Sequence, residues 1–82
     1  MRIAFHPHAL ERIDERGATK MEVRKTVRSG ESFVAKYGRQ GYRKNFSISD
    51  TPVKTYRTKQ VEVIGVSEQD EFVVLTVIVK YF

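Results

Sequence analysis

The sequence changes from helix signals to strand patterns at Gly30, and this change limits the folds that the chain can adopt. Before Gly30 the sequence carries helix-boundary signals, which are Pro7 at a first helical position, Gly17 at a helix end and the capping box "TKME" at residues 19–22. After Gly30 the residues follow strand patterns. This order predicts an α+β domain with two N-terminal helices packed on one face of a three- to four-stranded antiparallel sheet.

Two hairpins are predicted after the helices. The segments "ESFVAKY" (31–37) and "GYRKNFSI" (41–48) flank "GRQG", which has a glycine at each end and favours a turn. The segments "QVEVIGV" (60–66) and "EFVVLTVIVKYF" (71–82) flank "SEQD", the second predicted turn. Because 71–82 is apolar at nearly every position, we expect it to be a central strand covered on both faces.

Two further segments complete the predicted topology. Residues 1–5 fit a short leading strand before the first helix. Residues 49–58 contain Pro52, which cannot donate to a strand ladder, so they form either a loop or a poorly paired edge strand. No repeat, low-complexity tract or domain boundary interrupts the chain, and we therefore expect one domain over residues 1–82.

Composition limits the setting of the protein. The chain of 82 residues contains no cysteine, so it has neither disulfides nor a thiolate metal site, and a cytoplasmic location is expected. Its N-terminus lacks an apolar signal run, and "FVVLTVIV" (72–79) is too short to span a bilayer. The sequence thus predicts a soluble protein with no membrane association and no cofactor.

Positive charge is concentrated in one segment. The net charge is +5, and the basic residues between Lys36 and Lys59 are opposed there only by Asp50. Such clustering is typical of nucleic-acid binding, although a solvated surface explains it equally well. The candidates for binding an RNA backbone are Lys36, Arg39, Arg43, Lys44, Arg57 and Lys59.

Aromatic residues lie among these basic residues. In "YGRQGYRKNF" (37–46), the rings are able either to stack on bases or to pack in the core. Tyr37 and Phe46 fit both interpretations, and the sequence does not choose between them.

The first helix carries a row of candidate catalytic residues. His8, Arg12 and Arg16 recur every four residues, which places them in a stripe beside the buried face of a helix. An imidazole exchanges protons near neutral pH, and guanidinium groups match phosphate oxygens. The row therefore suits metal-independent RNA cleavage, in which a base activates the 2′-OH and arginines stabilise the developing charge.

A structural explanation of the same stripe also holds. The arginines have acidic neighbours, Glu11, Asp14 and Glu15, with which they can form ordinary surface ion pairs. The "HPH" at residues 6–8 offers two nitrogen ligands, but no further ligands stand at a spacing that suits zinc.

The segment "HALERIDERG" (8–17) resembles the signature of a small bacterial family known as domain of unknown function 4258, His-Ala-x-x-Arg-x-x-x-Arg-Gly. The resemblance continues in "ATKMEVRKTVRSGE" (18–31), which is similar to the second helix of the family. It extends to "VEVIGVSEQDEFVVLTV" (61–77), which is similar to the closing hairpin. His8, Arg12, Arg16 and Gly17 match the motif, and Thr76 matches the strand position.

That family is similar to the RelE/ParE-like and barnase/colicin-like toxins, many of which cut RNA without a metal. The resemblance therefore implies a single toxin-like domain from a toxin–antitoxin type of system, with RNA as substrate and an acidic antitoxin protein as partner. His8, Arg12, Arg16 and Thr76 become the candidate catalytic residues. The general acid stays open among Tyr42, Tyr56, Lys80 and Tyr81.

Two other functions fit the sequence. The two helices, with Arg24, Lys25 and Arg28 on the second, followed by a hairpin, are also compatible with a helix-turn-helix module that binds nucleic acid without cutting it. The second alternative is an inactive toxin relative that binds a protein partner. In either toxin-like case, a partner strand or a second copy of the chain is expected to cover an edge of the last strand.

Overall fold

The computed structural model describes residues 1–48 and 56–82 as two α-helices and a five-stranded sheet. A 3-10 turn, Lys36–Gly38, follows the second strand. In the described part of the chain no helix is long and apolar enough to cross a membrane. The bounds are β1 Arg2–Phe5, α1 Pro7–Glu15, α2 Lys20–Ser29, β2 Glu31–Val34, β3 Gln40–Ser47, β4 Thr58–Glu68 and β5 Glu71–Tyr81.

The segment predicted as a loop or edge strand, 49–58, lies outside the described residues except at its end. Residues 56 and 57 precede β4, and Thr58 is the first residue of that strand. The predicted strand 31–37 is shorter in the structure, because Tyr37 adopts left-handed backbone angles within the 3-10 turn.

The helix boundaries follow the predicted signals. His6 is the N-cap of α1 and Pro7 its first residue, while Gly17 ends that helix region with a φ of +74°. At the start of α2, the backbone N–H of Glu22 donates to Thr19 Oγ1 over 3.1 Å, and Glu22 Oε1 accepts from the Thr19 backbone N–H over 2.9 Å. The capping box is thereby confirmed.

The sheet has the strand order β1-β5-β4-β3-β2. Its two hairpins are antiparallel as predicted, but β1 pairs with β5 in parallel, with Ile3 opposite Phe72 and Phe5 opposite Val74. The predicted α+β class and the two N-terminal helices are confirmed. The prediction of three to four strands, all antiparallel, is wrong.

The parallel strand β1 was missed for a physical reason. Turn signals in a sequence identify only strands that follow one another, whereas β1 joins the last strand of the chain. Parallel neighbours need a long crossover connection, and here both helices and three strands form it. No local pattern in residues 1–5 marks that distant partner.

Both helices pack on the same face of the sheet. Helix α1 lies against β5 and α2 lies against β3 and β4, so a single core forms between the helix pair and the central strands. The core is enclosed mainly by small and β-branched side chains. Its buried members are Ala9, Ile13, Ala18, Val23, Val27, Val61, Val63, Phe72, Val74 and Val77.

The opposite face of the sheet is covered by no helix among residues 1–48 and 56–82. Strand β5 is an inner strand, as expected, but Val73, Thr76 and Ile78 on this second face are only half-buried. Within the described residues β5 is therefore covered on one face and not on both as expected, because both helices pack on the same side.

A β-bulge at Leu75 fixes which residues of β5 face the helices. In the register, Val74 lies opposite Gly65 and Thr76 lies opposite Ile64, so Leu75 is the extra residue. The buried positions consequently step by two up to Val74 and then by three to Val77. A strict alternation through "FVVLTVIV" would have placed Thr76 in the core.

We predict that Gly65→Ala destabilises the fold at this bulge. A Cβ at Gly65 would contact the carbonyl oxygen of Val73 and lie 2.8 Å from Phe72 Cζ, and both groups belong to the packed centre of the sheet. Overpacking of this kind costs about 1–3 kcal/mol. Thermal unfolding should show a fall in Tm of roughly 4–8 °C for each kcal/mol lost in a domain of this size.

Ser67→Ala is the matched control, because Ser67 lies two residues further along β4 and is exposed. Its hydroxyl donates an exposed hydrogen bond to Gln40 Oε1, so the Tm of this variant should change little. Equal Tm values for the Gly65→Ala variant and the wild type would contradict the packing described here.

Candidate active site

An open hollow of about 370 Å³ lies where α1 begins and β5 bulges. Polar and cationic side chains from three separate elements form it, and one apolar residue completes its wall. The lining residues are His6, His8, Arg12, Arg39, Leu75 and Thr76.

The backbone places both histidines beside the bulge. The backbone N–H of His6 donates to the carbonyl of Val74 over 2.9 Å, which extends the parallel pairing of β1 and β5 by one residue. Pro7 then starts α1, so His8 stands in the first helical turn. The two imidazoles are thereby attached to a fixed strand end.

The two imidazoles are stacked but have different surroundings. Their rings are inclined by 4°, with centroids 5.7 Å apart. His6 Nδ1 accepts a hydrogen bond from the backbone N–H of His8 over 3.2 Å, so its proton is assigned to Nε2. His8 Nδ1 lies 3.9 Å from Glu11 Oε2, which is an ion-pair distance but too long for a hydrogen bond.

Arg12 reaches the hollow from the next turn of α1. Its Nη1 donates to Glu15 Oε2 over 2.8 Å, and its side chain is 43% exposed. The pairing with Glu15 is the surface contact that the structural explanation predicts. An exposed ion pair of this type contributes little to stability. The Arg12 guanidinium can therefore leave Glu15 and bind another anion at a low cost in free energy.

The remaining polar side chains come from the residue before β3 and from β5. Arg39 precedes β3 and lies with its guanidinium carbon 5.9 Å from the ring centroid of Tyr37. Thr76 follows the bulge and faces away from the helix-covered core. Of the predicted residues, the structure therefore brings His8, Arg12, Thr76 and Arg39 together.

Arg16 does not line the hollow. It is the C-cap residue of α1 and is exposed, one helical turn beyond Arg12. A turn advances the chain by about 5.4 Å along the axis, and the hollow lies at the opposite end of this short helix. The stripe seen in the sequence therefore contributes only its first two members.

Two of the predicted RNA-binding residues already pair with other groups of the protein. Arg43 Nε donates to Glu62 Oε1 over 3.2 Å, and its guanidinium carbon lies 4.5 Å above the centroid of Phe33. Lys59 Nζ donates to the carbonyl of Gly17 and, over 3.0 Å, to Glu22 Oε1.

The other basic residues are spread along the sheet. Lys36 is exposed in the 3-10 turn near Arg39, whereas Lys44 is half-buried in β3. Arg57 lies at the far end, because eight-residue β3 separates it from Arg39 by more than about 20 Å. Lys54 is outside the described residues. The basic segment is not one patch.

His6 is the lining residue that the sequence did not identify as catalytic. The sequence feature that could have identified it is its position immediately before Pro7, the first residue of α1. That position makes His6 the N-cap, whose side chain folds back onto the start of the helix. None of the residues considered as general acids lines the hollow, and Tyr42 instead packs edge-on against Phe72 with ring centroids 5.3 Å apart.

Comparisons of the chain with protein-family models, curated proteins and solved structures found no match. In residues 1–48 and 56–82, no group of three or more His, Cys, Asp or Glu side chains is placed to hold a metal ion. The chemistry present in the hollow is two imidazoles, two guanidinium groups and a hydroxyl. Such groups bind a phosphodiester and transfer protons beside it.

We predict that Lys59→Ala lowers the free energy of unfolding by about 1–3 kcal/mol, because it leaves a carboxylate and a backbone carbonyl without their shared donor. The Lys59 and Glu22 side chains are only 14% and 21% exposed, so water replaces that donor incompletely. Urea unfolding followed by circular dichroism measures the loss.

Lys36→Ala is the matched control, because this substitution removes the same charge from an exposed position in a turn. Its stability should equal that of the wild type. If both variants unfold at the same urea concentration, Lys59 has no structural role and returns to the candidates for ligand binding.

Proposed function

We propose that the protein is a metal-independent, RNA-cleaving, toxin-like endoribonuclease that acts in the cytoplasm. The observation that supports this is the convergence of both histidines, Arg12, Arg39 and Thr76 on one open hollow. The resemblance of residues 8–17 to domain of unknown function 4258 points in the same direction.

The proposed reaction is transesterification within the RNA. One imidazole removes the proton of the 2′-OH, the 2′ oxygen bonds to the adjacent phosphorus, and the bond from phosphorus to the 5′ oxygen breaks. The other histidine, in its imidazolium form, donates a proton to that leaving oxygen and becomes neutral. The products are a 2′,3′-cyclic phosphate and a 5′-OH, with the proton of the 2′-OH retained by the base.

The environments of the histidines suggest how the two roles divide. In its neutral form His6 uses Nδ1 as the acceptor of the cap hydrogen bond, so Nε2 carries a proton and has no lone pair for the general base. We therefore assign His6 the general acid, a role that requires the imidazolium, in which a proton on Nδ1 replaces the cap hydrogen bond and Nε2 delivers its proton. Among residues 1–48 and 56–82, no hydrogen bond within 3.5 Å holds the ring of His8, which leaves a nitrogen lone pair for the general base. His6 thus fills the place of the acid that the sequence left open.

The other lining residues act on the phosphate. Arg12 and Arg39 approach from α1 and from the start of β3, so both can neutralise the charge that builds up on the non-bridging oxygens. Thr76 contributes a hydroxyl from the second face of β5 and can donate to one of these oxygens.

We predict that His8→Ala abolishes RNA cleavage while thermal stability stays within about 0.5 kcal/mol of the wild type, because its exposed side chain contributes little packing. His6→Asn should also abolish cleavage, since asparagine keeps an N-cap acceptor but lacks a titratable ring. Cleavage of labelled RNA with EDTA present, together with the Tm of each variant, measures both effects.

Arg12→Ala and Arg16→Ala form the matched pair for this experiment. Each removes one arginine from the same helix, but only Arg12 lines the hollow. The first should reduce cleavage at least tenfold and the second should not. Activity in His8→Ala, or equal losses in both arginine variants, would reject this site. A wild-type protein that binds duplex DNA and cleaves nothing would favour the helix-turn-helix alternative.

A partner is part of the proposal. On the side of β5 that pairs with β1, the register ends at Val74, so no strand of the described residues pairs there with the rest of β5. An acidic antitoxin segment that adds a strand at this edge would also lie beside the cationic hollow. A second copy of the chain is the other candidate for the same edge.

We predict that expression of the chain alone arrests growth and that co-expression with its antitoxin yields a stable complex. Size-exclusion chromatography of the purified protein distinguishes an antitoxin complex, a homodimer and a monomer. A monomer that is tolerated at high expression without any partner would contradict the toxin–antitoxin part of the proposal.

A further inference from the structure

Tyr37 has an unusual backbone conformation and an exposed ring. Its φ and ψ of 61° and 33° lie in the left-handed region, which residues other than glycine seldom occupy. The residue is nevertheless 89% exposed, so no core packing holds the ring in place. Uncommon backbone angles of this kind occur preferentially at ligand-binding positions.

The surroundings of Tyr37 connect it to the candidate active site. The guanidinium of Arg39 lies 5.9 Å from its ring centroid, and Arg39 also lines the hollow that contains the histidines. Lys36 precedes the ring on the same turn and is exposed. An aromatic face, two cations and the hollow thus follow one another along this edge of the molecule.

The other aromatic residues of "YGRQGYRKNF" are used in the core. Tyr42 and Phe46 both pack against the buried cluster, and the phenolic oxygen of Tyr42 accepts a hydrogen bond from Gln40 Nε2 over 2.7 Å. The sequence left two roles open for these rings, base stacking and core packing. Among the three rings of this segment, only that of Tyr37 is exposed enough to stack on a base.

We propose that Tyr37 is a stacking platform for an unpaired base of single-stranded RNA, with Lys36 and Arg39 contacting the phosphates beside that base. This inference rests on the proposed function and names its substrate class. The base would belong to a nucleotide next to the one whose phosphate occupies the hollow, because Arg39 takes part in both places.

The charge around the ring favours a nucleic acid over a protein surface. The turn from Ala35 to Gln40 carries Lys36 and Arg39 and no acidic residue. A ring flanked by cations is the usual arrangement where successive bases stack and the backbone is held electrostatically. Bases in a duplex already stack on one another, so an unpaired strand is the form that leaves a base free for Tyr37.

The test measures binding of a fluorescent, 2′-O-methylated single-stranded RNA, which lacks the attacking hydroxyl and stays uncut. Tyr37→Asn removes the ring but tolerates the left-handed backbone, and Tyr37→Phe keeps the ring. We expect Tyr37→Asn to weaken binding at least fivefold, the lower limit for loss of one base–aromatic stack, and Tyr37→Phe to bind as the wild type does.

The salt dependence separates stacking from charge. Stacking releases no counterions, so the slope of log Kd against log salt should be the same for Tyr37→Asn as for the wild type. Lys36→Ala should reduce the steepness of that slope by about 0.7, the value for one phosphate contact on a single strand.

Each outcome bears on one of the two proposals. If Tyr37→Asn binds as tightly as the wild type, or if Tyr37→Phe fails with it, the stacking inference is overturned whether or not RNA is cleaved. An equal loss of affinity for duplex RNA overturns it as well. If the wild type binds through Tyr37 but cleaves no RNA, the nuclease proposal fails and the stacking site stands. Absence of RNA binding by the wild type overturns both.

Discussion

The parallel pairing of β1 with β5 joins the two ends of the chain, and much of the molecule depends on it. It places Ile3 and Phe5 against the core, and it fixes the point at which α1 leaves the sheet. The hydrogen bond from the His6 N–H to Val74 continues this ladder directly into the helix cap. The same few bonds therefore attach β1 to the sheet and set the position of the imidazoles.

The basic residues fall into two groups that composition alone does not separate. Arg43 pairs with Glu62, which is only 8% exposed, and links two neighbouring strands, whereas Lys59 pairs with Glu22 and links β4 to α2. Arg39, by contrast, makes no ion pair among the described residues and lies beside the hollow. The 15 basic residues are thus divided between those that neutralise carboxylates within the fold and those on a surface that is available to an anion.

Local signals in the sequence predicted local structure well. The capping box at Thr19, the proline of α1 and the glycine at position 17 predicted both helices, because each signal acts over a few neighbouring residues. The partner of β1 and the bulge at Leu75 were not predictable, since both arise from contacts between distant strands. The approach of Arg39 to the helix start has the same long-range origin.

The span of the β1–β5 contact also affects when the site can form during synthesis. Partners in this pairing are separated by 69 residues, as in Ile3 and Phe72, so the pairing forms only after nearly all of the chain has been made. The helices and the first hairpin are made earlier and can associate while the chain is still growing. Thr76 follows the paired residues of β5 in the sequence. A nascent chain therefore carries both histidines long before it can form the hollow around them.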